Sequence, residues 1–137
     1  MGYEFLEHTS DVRFKVENES LEGLFKDAAM AVFETAVELD TVDETVKFEI
    51  KLENKNLEEL LYDFLEEIIF LKDAEYVVFK KVDLKIKGNY KLEAKFSGEK
   101  INQSKHKLLN DIKAVTWHEF SVKKINSLWV ATVIVDI

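Results

Sequence analysis

The chain has 137 residues, 47% hydrophobic and 34% charged, with no cysteine and a formal net charge of -8, which suits one domain over residues 1–137 built on a single core. The missing thiols exclude disulfides, Fe–S clusters, thiolate zinc and cysteine nucleophiles, and the acidity disfavours autonomous binding to a phosphate backbone while favouring a cation or a basic protein face. No apolar run approaches the ~18 residues of a membrane span and no signal-peptide pattern opens the chain, so a cytoplasmic protein is expected.

In chain order, Tyr3 to Leu6 and Val12 to Val16 read as apolar-alternating strands, with Phe14 and Val16 on one face and Arg13, Lys15 and Glu17 on the other. Between them stands His8-Thr9-Ser10-Asp11. Burying such polar groups without partners costs about 1–3 kcal/mol each, so the four residues either form an exposed turn or meet something they bind. Arg13 is the only arginine beside 18 lysines; Lys/Glu richness of this kind fits a thermophile or a biased genome composition.

Ser20 is a candidate N-cap for a helix whose apolar face is Leu21, Leu24, Phe25, Ala28, Val32, Phe33, Ala36 and Val37, with Gly23 a mild fault in its first turn. Val46, Phe48, Ile50 and Leu52 alternate with charged residues as a strand. Asn56 and Glu59 then form a capping-box-like pair for a second helix, apolar at Leu57, Leu60, Leu61, Phe64, Leu65, Ile68 and Leu71. Its other face carries Glu58, Glu59, Asp63, Glu66 and Glu67, either a solvated surface or a docking face for a basic partner.

Tyr76 to Ile86 reads as a long strand with an irregularity at Lys80-Lys81, and Gly88-Asn89 signals a hairpin back into Tyr90 to Phe96. Ser97 to Lys107 reads as a polar loop. Ile112 to Trp117 and Phe120 to Val122 read as two further strands. Trp129 to Val135 is apolar and rich in β-branched residues, the pattern of a strand central in its sheet. The order predicts an α+β fold of two layers, two helices packed on one mainly antiparallel sheet.

The last strand runs into Asp136 and Ile137, which offer a carboxylate, a backbone carbonyl and a terminal carboxylate. Hard oxygen donors of this kind suit Ca²⁺, Mg²⁺ or Mn²⁺, or else a solvated terminus. Spacing alone does not bring Asp11 to them.

Several short motifs occur in a familiar order. His8-Thr9-Ser10-Asp11, the helix Leu57-Glu58-Glu59-Leu60-Leu61 with Asp63 to Glu67, Lys105-His106, the segment Lys113-Ala114-Val115-Thr116-Trp117-His118, and the closing Val135-Asp136-Ile137 together resemble the archease family over essentially the whole chain. Phe64 and Glu66 stand where family members often have Trp and Asn. The resemblance implies a small non-catalytic cytoplasmic accessory protein of the RtcB-type RNA ligase of tRNA splicing, promoting guanylylation of the ligase and its repeated turnover. It implies a divalent-cation site at Asp11, Asp136 and Ile137. His8 is then a candidate to orient Asp11, and Lys105, His106 and Lys113 are candidates to contact the partner, each set against a plain structural or solvated role. Two other readings remain open: a metal-independent chaperone-like module for RNA-modifying enzymes such as a tRNA methyltransferase, and a metal-dependent phosphohydrolase. The phosphohydrolase has few convergent acid–base groups and no P-loop in its favour.

Overall fold

The structure, a computed structural model, describes residues 2–6 and 11–137. His8, Thr9 and Ser10 lie outside the described residues. The elements are β1 (Gly2–Leu6), β2 (Asp11–Asn18), α1 (Leu21–Ala36), β3 (Val46–Glu53), α2 (Leu57–Glu75), β4 (Val77–Lys87), β5 (Lys91–Lys100), β6 (Ala114–Ile125) and β7 (Leu128–Asp136). This is the expected α+β fold, and every strand pair is antiparallel. The strands form two sheets where one was expected, ordered β1-β2-β7-β6 and β3-β5-β4. Periodicity shows which residues form strands but not which strands share hydrogen bonds.

The helices begin where their caps place them. Ser20 Oγ accepts from Gly23 N at 2.9 Å, and Asn56 Oδ1 accepts from Glu59 N at 3.0 Å. Each cap satisfies an otherwise orphaned donor of the first turn. Gly23 has a local reason: a Cβ there would run into the Asn18 side-chain amide, which accepts from Ser20 N and donates to Asp27. Both helices pack against strands of both sheets. The small side of α1, with Ala28, Ala29 and Ala31 fully buried, allows that close approach. Phenylalanines from the two layers join the core. Phe33 meets Phe79 at 5.4 Å between ring centroids, Phe79 meets Phe96 at 5.3 Å, and Phe96 meets Phe64 at 5.8 Å.

β7 is central in its sheet, hydrogen-bonded to β2 and β6, as its apolar run foretells. The irregularity expected at Lys80-Lys81 is a register shift between Phe79 and Lys81. Two loop readings change. β5 continues through Ser97 to Lys100 instead of ending at Phe96, because Gly98 lets the strand pass the β4 irregularity. A Cβ on Gly98 would lie 2.8 Å from Phe79 Cα and closer still to the Val78 carbonyl. Residues 114–125 are one strand broken by a bulge, not two strands: pairing to β7 lapses between Thr116 and Ser121, and Glu119 takes φ 54°.

The Gly98 packing predicts that Gly98→Ala destabilises the protein by roughly 2 kcal/mol or more, since rigid backbone cannot yield to the added methyl. Chemical denaturation of both proteins measures this; an unchanged midpoint would show that β4 can move aside.

Candidate functional site

Side chains alternate across a strand. Along β2, Phe14 and Val16 enter the core, so Asp11, Arg13 and Lys15 face the other way. The antiparallel register sets Asp11 opposite Asp136 on β7, and Asp136 opposite Ala114 on β6. The aspartates, 125 positions apart in sequence, are thereby neighbours on one sheet face, with Cα atoms ~5 Å apart by ladder geometry. Like charges placed directly opposite repel. Lys113 N donates to the Asp136 carbonyl at 2.9 Å, tying the entry of β6 to the same corner; the Lys113 side chain is exposed. Ile137 follows directly and is 38% exposed. Among the described residues, no group of three or more His, Asp or Glu side chains is arranged to hold a metal.

The next row of this face is Arg13, Ile134 and Thr116. Ile134 is fully buried although it points away from the helices. Arg13 Nε and Thr116 Oγ1 are buried there without a hydrogen-bond partner among the described residues. The Arg13 guanidinium also reaches Glu119 in the β6 bulge, at 3.5 Å, so the sole arginine fastens the bulge to β2.

Lys105 and His106 join a network with Asp43, Glu99 and Asn102. His106 is buried; its Nδ1 accepts from Asn102 N at 3.0 Å and its Nε2 lies 2.8 Å from Glu99 Oε1. An accepting Nδ1 leaves the proton on Nε2, which donates to Glu99. Lys105 Nζ bridges Glu99 at 2.8 Å and Asp43 at 2.6 Å. Lys105, the Asp43 backbone N–H and His106 hold the Glu99 carboxyl down at about 2, against an ordinary 4.5. Asp43 and Glu99 in turn push the Lys105 ammonium up. The network closes residues 101–107 onto β5.

The acidic face of α2 divides in two. Glu58 Oε2 accepts from Val122 N at 3.0 Å, and Glu66 Oε2 approaches Val115 N at 3.5 Å. Both cover donors of β6, the edge strand of its sheet, which protects that edge from adding a foreign strand. Tyr62 donates to Glu66 Oε1 at 3.0 Å, and its ring stacks on Trp117 from the bulge, centroids 4.2 Å apart and planes 14° apart. The half-exposure of Trp117 and its stack on α2 were not read from the sequence; no periodic signal marks a residue displaced by a bulge. His118 is exposed, and Trp129 packs against the core with Lys124 Nζ 5.4 Å from its ring centroid.

With this geometry in view, the comparisons define the class. Residues 3–137 match the model of the archease protein family (MTH1598/TM1083), and the chain belongs to that family. It is 36% identical to the protein archease of Pyrococcus abyssi over 98% of both chains. It is also 36% identical to that of Methanosarcina mazei, over 98% of this chain and 95% of the relative. The solution structure of Methanobacterium thermoautotrophicum protein 1598 superposes with a TM-score of 0.84 at 31% identity, covering 99% of each chain. The crystal structure of TM1083 from Thermotoga maritima, described as an archease and possible chaperone, has a TM-score of 0.72 at 21% identity, covering 96% and 94%; that likeness supports the fold. No helix among the described residues is long and apolar enough to cross a membrane.

Because the Glu99 carboxyl titrates lower in the folded chain than in the unfolded one, its stabilisation is complete above pH ~4.5 and is lost as pH falls through about 2. Melting temperatures measured from pH 6 to pH 2 should show wild type and Glu99→Gln converging over that window. A constant gap between the two proteins would place the acid sensitivity elsewhere.

Proposed function

We propose that this family member acts as an accessory protein of an RtcB-type RNA ligase, promoting guanylylation and repeated turnover of the ligase without catalysing a reaction itself. The single observation that carries the reading is the opposition of Asp11 and Asp136 across β2 and β7, in a family member of net charge -8. Two carboxylates on one sheet face, with the carbonyl of Ile137 beside them, are hard donors and fit Ca²⁺, Mg²⁺ or Mn²⁺. When bound, the cation would supply charge neutralisation to a phosphate-rich site.

The chain's own residues prepare that role. Asp11 and Asp136 are held by strand register instead of by a loop, so their spacing is kept in the free protein and little ordering remains for binding. The bond from Lys113 N to the Asp136 carbonyl fixes β6 against the same corner. Lys113, exposed beside it, is free to approach an anionic group of the partner. Acidity over the surface speeds encounter with a basic ligase face and is weakened by salt.

The test is multiple-turnover RNA ligation by the cognate ligase, with and without this protein. Wild type should raise turnover, and Asp11→Ala and Asp136→Ala, shown by circular dichroism to be folded, should lose at least about tenfold of that stimulation. Equal stimulation by both variants would discard the cation mechanism and leave the chaperone-like reading. No stimulation by wild type would discard the ligase.

A further inference from the structure

The β6 bulge does one thing that neither the core nor the Asp11–Asp136 corner requires: it lifts Trp117 out of the ladder and lays it on α2. Bulges re-aim side chains in this way and are retained where the new direction is used. Trp117 is 51% exposed, yet it is held firmly. Tyr62 covers one face of the indole, and Phe120 meets it edge-on, with ring centroids 5.1 Å apart and planes at 66°. Arg13 anchors the bulge from the opposite side of the strand through Glu119. An exposed aromatic that is already immobilised loses little entropy when something binds it, which is the physical character of an interface anchor.

Charge identifies the occupant. Glu58, Asp63 and Glu66 stand around Tyr62 on α2, and among the described residues none of them forms an ion pair. Burial above all, then the hydrogen bond to Glu66 and the nearby charges of Glu66 and Asp63, push the Tyr62 hydroxyl up. A phosphate-bearing base would meet repulsion there. A guanidinium is planar, so it can lie flat on an indole while its N–H groups reach carboxylates; a compact ammonium has no flat face to stack.

We propose that Trp117, with the α2 carboxylates beside it, is the docking point for an arginine presented by a basic surface of a protein partner. Identifying that partner as the ligase rests on the function proposed above; the chemistry of the seat does not.

The experiment uses the full chain and a hexa-arginine peptide as probe, followed by calorimetry and, in a Trp129→Phe background, by the emission of Trp117 as sole tryptophan. The peptide should change that emission saturably. It should bind roughly tenfold more weakly to Trp117→Ala and several-fold more weakly to Asp63→Asn, an exposed change that leaves the packing intact. Hexa-lysine should bind several-fold more weakly than hexa-arginine. Equal hexa-arginine affinity for wild type and both variants would overturn the proposal, and so would tighter binding of GMP than of the peptide at Trp117. Capture by the ligase separates the two claims. If wild type and Trp117→Ala are captured equally, the ligase does not dock here and the proposed function stands. If the peptide requires Trp117 but wild type is not captured, the proposed function falls and the arginine seat stands.

Discussion

The antiparallel ladder between β2 and β7, running from Asp11 opposite Asp136 to Asn18 opposite Trp129, is the constraint on which the rest of the molecule depends. It closes the first part of the chain against the last and makes β7 an interior strand. Because β7 then pairs with β6 on its other side, one register decides three things together: which residues of β2 enter the core, which carboxylates become neighbours, and where the β6 bulge falls. A slip of one residue would turn Phe14 and Val16 outward and Asp11 inward. Burying two core side chains therefore holds the aspartates in place, since losing either from the core costs about 2–5 kcal/mol.

Such coupling separates functional position from functional chemistry. Two carboxylates stand opposite one another across β2 and β7, Arg13 keeps a buried Nε without a partner among the described residues, and Glu119 adopts a left-handed backbone conformation. None of these helps the fold locally. All occur on the sheet face away from the helices, where core packing elsewhere in the ladder can carry them. The opposite arrangement holds at Lys105 and His106, whose polar groups are satisfied within the chain and close a loop.

Much of the architecture was legible because it rests on local rules. Both helices, their caps at Ser20 and Asn56, the β4 irregularity and the interior character of β7 follow from periodicity, capping chemistry and β-branched content. The failures share one cause. Ser97 to Lys100 looked like a loop because its residues are polar, and the strand persists there only because Gly98 fits against a bulge in β4. The break between Trp117 and Phe120 looked like a strand boundary, and it is an excursion inside one strand. The split into two sheets is likewise a matter of partners. In each case a residue's state depends on an element distant in sequence.

Residue type and order alone establish the α+β composition, the acidic character and the resemblance of the short motifs to the archease family. They also single out Asp11, Asp136 and Ile137 as candidates, through that resemblance and through the chemistry of hard oxygen donors. That Asp11 lies opposite Asp136, that Arg13 secures the β6 bulge through Glu119, and that Trp117 lies exposed on Tyr62 emerge only in the folded chain. Strand register and bulge geometry are long-range outcomes of how the chain buries its apolar faces, and no local pattern encodes them.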